Sequence, residues 1–231
     1  MAAISFLTVV GRARPPDQRT LGWFPLVGAG LGAVVAGVWW VAQQVWPPAV
    51  AALIAVAADL ALTGLLHFDG LADTADGLLG HMPRQRRLEV MRRPDIGAFG
   101  AAVVAAVILA RWTALAAGPV EPVALIGVWC ISRTVVAVAV AVVPYARDAG
   151  LASPLLGGAR RWYAVWLVPA GAILTSWRGL LGAVALGVAL ATAAGILVLA
   201  RRRLGGFTGD VLGAVIVCSE TAALLTLAAR P

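Results

Sequence analysis

No charged residue occurs between Thr20 and Ala58, and that run constrains the chain more than any other feature. A helix needs about 20 mostly apolar residues to cross a bilayer, because it rises about 1.5 Å per residue through a hydrocarbon core about 30 Å thick. The run has room for two such helices. Gln43-Gln44 and Pro47-Pro48 divide it into one near 21–42 and a second beginning near 48. Further apolar stretches lie near 98–117, 122–143, 162–177, 179–200 and 211–229. Composition agrees, since 61% of the 231 residues are hydrophobic and only 13% are charged, against about 25% charged in a soluble domain. So apolar a chain is not disordered, and two cysteines, Cys130 and Cys218, are too few for a disulfide scaffold. The expectation is an all-α, polytopic integral membrane protein of about seven transmembrane helices, forming a single membrane-embedded domain over 1–231. The fifth stretch is short, and Pro169 with Gly171 marks it as kinked or re-entrant. The opening MAAISFLTVV has no positive n-region and reads as a short interfacial segment of the mature protein.

All 18 basic residues are arginine and the net charge is +7. Such a balance can mark a nucleic-acid binder, but here the arginines fall between apolar runs, where they read as topology signals. No nucleic-acid partner is expected; the lipid bilayer is. With a cytoplasmic N-terminus, fourteen arginines share the cytoplasmic side: Arg12, Arg14 and Arg19, the five from Arg84 to Arg93, Arg147 with Arg160 and Arg161, and Arg201 to Arg203. The opposite side receives Arg178 and Arg230, while Arg111 and Arg133 fall inside spans. This bias puts a multi-pass protein in the cytoplasmic (inner) membrane with its N-terminus inside. Tryptophans such as Trp23, Trp46, Trp162 and Trp177 flank the spans as interfacial anchors.

The most informative stretch is His67 to Gly80, HFDGLADTADGLLG, which follows the second apolar run and faces the cytoplasm. At about 100° per residue, a helix puts Asp69, Asp73 and Asp76 on one stripe. Three like charges on one face repel unless a cation lies between them, and carboxylates alone suit Mg²⁺ or another hard ion. The alternative is a solvated acidic helix start. His67, two residues before Asp69, can ligate, act as a base or bond phosphate. GGFTGD, Gly205 to Asp210, precedes the last helix on the same side. Its glycines, Gly206 and Gly209, leave backbone N–H groups open to a phosphate, and Asp210 can complete the metal site. Arginines at 84–93, Arg92 among them, suit a diphosphate, although anchoring explains most of them. Arg111 and Arg133 need a polar cavity or an acidic partner, for which Asp59 and Glu220 are candidates. A divalent metal, arginine and glycine-rich turns at one membrane face fit transfer of a phosphate-containing group from a diphosphate to an alcohol.

The chain also resembles the cobalamin (5′-phosphate) synthase, or adenosylcobinamide-GDP ribazoletransferase, family. The matching blocks run nearly end to end: FLT at Phe6 to Thr8, FPLVG at Phe24 to Gly28, LTGLLHFDGLADTADGL at Leu62 to Leu78, RRLEVMR at Arg86 to Arg92, IGAFG at Ile96 to Gly100, Ser132-Arg133, and LGGFTGDVLGA at Leu204 to Ala214. The resemblance implies a Mg²⁺-dependent transferase whose active site faces the cytoplasm. In that reaction α-ribazole, or its 5′-phosphate, attacks adenosylcobinamide-GDP to give adenosylcobalamin, or its 5′-phosphate, and GMP. It implies a metal and diphosphate site of Asp69, Asp73, Asp76 and Asp210. Asp73, Asp76 and His67 are then the catalytic candidates, and Arg133, Gly206, Gly209 and Arg92 the substrate-binding ones. A second copy of the chain is a further candidate partner. Arg93, Pro94 and Asp95 stand where the family pattern reads acid, small residue, base, and neither charged residue is given a role. Two rivals are a transporter with Arg111, Arg133, Asp59 and Glu220 along its pathway, and a CDP-alcohol phosphotransferase, whose aspartate spacing differs.

Overall fold

A computed structural model describes residues 2–12, 14–118, 120–150 and 152–229. Arg230, one of the two arginines expected outside, lies beyond them. Nine helices are present among the described residues: α1 (Ala2–Leu7), α2 (Phe24–Val45), α3 (Pro48–Thr63), α4 (Leu66–Leu79), α5 (Arg84–Val90), α6 (Ala98–Ala117), α7 (Pro122–Val142), α8 (Leu167–Leu204) and α9 (Gly209–Leu227), with three short 3₁₀ turns. Prolines open α2, α3 and α7 at the position where a missing N–H costs nothing. The all-α expectation holds.

Five helical segments are long and apolar enough to cross a membrane, or six if the bent pair α3–α4 counts as one. The sequence reading expects seven, and the difference lies at the bent pair, where α3 alone is short, and at Gly179. There φ is 52° and ψ −128°, outside the helical region, so 167–204 is not one straight rod. A Cβ on Gly182 would collide with the Leu174 carbonyl, and one on Gly171 would meet the Leu186 side chain. Pairings of 182 with 174 and 171 with 186 describe a hairpin whose arms run antiparallel. Those arms are the stretches expected near 162–177 and 179–200.

The bend of 89° between α3 and α4 positions the site. Gly64 caps α3 in the left-handed region (φ 57°) and Leu65 follows it there (φ 62°), unusual for a residue with a side chain. Past the bend, α4 runs antiparallel to α9 at backbone contact: Gly70 meets Asp210, and Gly213 meets His67. Phe68 and Leu71 pack on Ala214 and Val217. The α2–α7 pair is equally close, with Gly28 against the Trp129 carbonyl and Gly32 against that of Leu125. Small residues four apart permit such approach where apolar side chains cannot drive helices together in lipid.

Candidate active site

The carboxylates of α4 meet three different surroundings. Asp76 is buried, and its two oxygens accept hydrogen bonds from the backbone N–H groups of Gly97 (2.7 Å) and Gly100 (2.9 Å). These amides open α6, where a carboxylate also meets the positive end of the helix dipole. A Cβ at Gly97 or Gly100 would run into the Asp76 carboxylate. The IGAFG block is thus the socket for Asp76, a role the sequence alone does not reveal. Asp73 is half-buried and Asp69 exposed. Both line a cavity of about 450 Å³ that Arg92, Arg93 and Asp95 also line. Arg93 and Asp95 pair with each other at 3.1 Å in solvent.

Asp69 also lines another cavity, of about 490 Å³, with His67, Gly209, Asp210 and Arg147. Asp210 pairs with Arg147 at 2.8 Å and accepts a hydrogen bond from the Thr208 hydroxyl (3.1 Å). Thr208 caps α9 by accepting from the Val211 N–H, so the glycine-rich turn does deliver a helix start to this cavity. Arg147 also donates to the Met91 carbonyl (3.2 Å), tying the two cavities' walls together. Sequence reasoning counted Arg147 only as a topology charge. Its position follows from the bridge between Tyr145 and Phe207, which brings the segment after α7 alongside the glycine turn.

The remaining candidates divide. Gly209 has open space where a Cβ would project, whereas a Cβ at Gly206 would strike the Pro144 carbonyl. Gly206 is therefore required for packing of the turn. His67 is buried and its Nε2 has no hydrogen-bond partner. Arg133 lies in neither cavity wall. It pairs with Glu220, which accepts from Ser132 (2.7 Å) and from Arg111 (2.6 Å). Arg111 also donates to Asp59 (2.8 Å), and Asp59 accepts from the Trp129 indole (3.0 Å). The partners expected for the two intramembrane arginines are the ones observed. Several other arginines cap helix ends: Arg87 and Arg203 donate to the last carbonyls of α4, and Arg84 to that of Leu204 (2.6 Å).

Among the described residues, no group of three or more His, Cys, Asp or Glu side chains is arranged to hold a metal ion. The donor chemistry of Asp69, Asp73 and Asp210 suits a hard cation. Asp76 is engaged elsewhere by its two amides.

Apolar helices around a buried charge network, with carboxylates and arginines lining two cavities, define the class: a polytopic all-α membrane protein. The family model described as cobalamin-5-phosphate synthase matches residues 1–228. Proteins named adenosylcobinamide-GDP ribazoletransferase are similar over most of the chain. The one from Leptothrix cholodnii is 39% identical, covering 87% of this chain and 81% of its own. That from Bradyrhizobium diazoefficiens is 38% identical, covering 98% and 92%, and that from Chlorobium phaeovibrioides 35%, covering 94% and 90%. No solved structure matches the chain. The chain belongs to the cobalamin-5-phosphate synthase family.

Proposed function

We propose that this protein joins adenosylcobinamide-GDP to α-ribazole or its 5′-phosphate, the step named by its relatives. The carrying observation is Asp69, a carboxylate shared by two cavities, one walled by Arg92 and Arg93 and the other holding Asp210 with Arg147. Two substrates that meet at one phosphorus need two such spaces meeting at one point. The ribazole hydroxyl oxygen forms a bond to the phosphorus next to the cobinamide arm, the bond from that phosphorus to the GMP oxygen breaks, and the hydroxyl proton is lost. GMP leaves as a dianion that arginine can receive, since a guanidinium fork matches phosphate oxygens.

Asp69, Asp73 and Asp210 are the residues we assign to a Mg²⁺ ion, which would neutralise charge on the diphosphate when bound. Arg147 holds Asp210 in place, and Arg92 supplies positive charge to the nucleotide side. Asp76 fixes α4 to α6, so that Asp73 and Asp69 keep their facing. The active site faces the cytoplasm on the arginine topology. The transporter reading is less well supported, because Asp59, Arg111, Arg133 and Glu220 are paired with one another away from both cavities.

The test is turnover by purified protein supplied with adenosylcobinamide-GDP, α-ribazole and Mg²⁺, following GMP. Release that requires both substrates is expected; GMP release without the acceptor, or none at all, would refute the proposal.

A further inference from the structure

We infer that the 490 Å³ cavity lined by α1 is the subsite for the acceptor, with the aromatic base of the ribazole enclosed by its apolar residues; this rests on the transferase reading above. Size is the first reason. The volume lies within the range of small-molecule pockets and suits a nucleoside, whereas a corrinoid carrying a nucleoside diphosphate is several times larger.

The lining is the second reason. It combines the apolar Phe6, Leu7, Phe24, Val136 and Leu155 with the charged Asp69, Asp210, Arg147 and Arg14. A ligand matched to this mixed lining has an apolar part and a part that bears hydroxyls, as a benzimidazole riboside does. Phe6 and Phe24 form a ring pair with centroids 5.9 Å apart, the type of wall that takes a third aromatic ring. His67 belongs to the same lining and its buried Nε2 lacks a partner. Buried polar atoms are normally satisfied, and this one without a partner belongs to a residue of the cavity lining. The base of a benzimidazole riboside keeps one unsubstituted ring nitrogen, an acceptor for an imidazole N–H.

Helix α1 is the third reason. This short helix lines the cavity, and the segment after it is pinned to the bend: the Val9 N–H donates to the Leu62 carbonyl (2.9 Å), and Val9 packs where a Gly64 Cβ would be. The FLT block at Phe6 to Thr8 lies wholly in this lining. Nothing in the phosphoryl site requires those three residues.

Two substitutions on α1 test the subsite, because α1 is peripheral to the bundle. Ser5→Trp shrinks the cavity and should raise KM for α-ribazole by about tenfold or more, with KM for adenosylcobinamide-GDP within about twofold of the parent. Phe6→Ala enlarges it and should improve use of a riboside with a larger, naphthimidazole base relative to α-ribazole. Equilibrium dialysis of α-ribazole, without the second substrate, should show the same loss of affinity in Ser5→Trp. A parent enzyme that turns over while Ser5→Trp keeps its ribazole KM, or while the corrinoid KM rises instead, overturns the subsite alone. Unchanged ribazole binding with loss of copurified lipid from Ser5→Trp would assign the cavity to an acyl chain and overturn it too. A parent without turnover refutes the transferase reading, and dialysis then decides the subsite by itself. If Ser5→Trp does not fold, the base preference of Phe6→Ala decides.

Discussion

Asp76→Asn separates a fold-holding carboxylate from a ligand-holding one. The Asp76 carboxylate accepts two N–H groups, at 2.7 and 2.9 Å, in a buried place at the start of α6. Asparagine keeps one acceptor oxygen and turns an NH₂ toward the other amide, so one charge-assisted bond is lost, worth about 1.5–3 kcal/mol. Loss of negative charge at the helix start adds about 0.3–1 kcal/mol. The total is about 2–4 kcal/mol, or roughly 5–15 °C in the unfolding midpoint for a chain of this length. Asp73→Asn should behave oppositely. Asp73 has no hydrogen bond or ion pair among the described residues and sits one turn from Asp69, so its neutralisation relieves repulsion and should leave the midpoint unchanged or slightly raised. Thermal unfolding of the detergent-solubilised variants, without added metal, measures both, and GMP release with Mg²⁺ should be lost in both. An Asp76→Asn protein that unfolds with the parent and recovers activity at high Mg²⁺ would refute the socket assignment and return Asp76 to the metal ligands.

The two glycines of the last turn should also part company. Gly206→Ala should lower the unfolding midpoint because its Cβ meets the Pro144 carbonyl, while Gly209→Val should leave the midpoint near the parent and impair turnover by crowding the cavity; a stable, fully active Gly209→Val would remove that turn from the substrate site. For orientation, a membrane-impermeant thiol reagent should reach a cysteine at Gln44 in intact cells but not one at Gln85 or Arg202, and labelling of Gln85 from outside would reverse the topology. Asp148→Asn is a suitable control for all of these. Asp17 is not, because the Thr20 hydroxyl and the Arg19 N–H donate to its carboxylate, holding its pKa below the ordinary range and ordering the turn into α2.

Length without charge made the spanning segments legible, since little but a bilayer accommodates the run from Thr20 to Ala58. Gly64 was visible as a residue but not as a right-angle bend, because a glycine permits such dihedrals without requiring them, whereas the break at Gly179 falls where the sequence separates the stretches near 162–177 and 179–200. The 100° stepping placed three aspartates on one stripe of α4. It could not say what each would face, because Gly97 and Gly100 arrive from another helix and take Asp76 for themselves. The pairing of Arg111 with Asp59 and Glu220 was foreseeable because an unpaired charge inside a span is costly. Arg147 was not, since one arginine in a basic loop carries no mark that distinguishes it from its neighbours.

Deep in the bundle, Asp59 on α3, Arg111 on α6, Arg133 on α7 and Glu220 on α9 bind one another, two charges of each sign. This network, neutral in sum, joins four helices, and its Arg111 guanidinium lies over the Phe68 ring of α4 at 5.3 Å. The bent helix is thereby held at one end by this contact and at the other by Asp76 in its socket and by Arg87 and Arg203 on its last carbonyls. Along α4 and at its contact with α9, Asp76 is then spent on amides, Asp210 gives one oxygen to Arg147 and Thr208 and keeps the other for a cation, while Asp69 and Asp73 have no ionic partner among the described residues. Two unpaired carboxylates one helical turn apart repel, and a rigid helix cannot relax by moving them apart. Fixing α4 at both ends therefore keeps negative charge concentrated where the two cavities meet. A cation bound there relieves the repulsion without asking the fold to move.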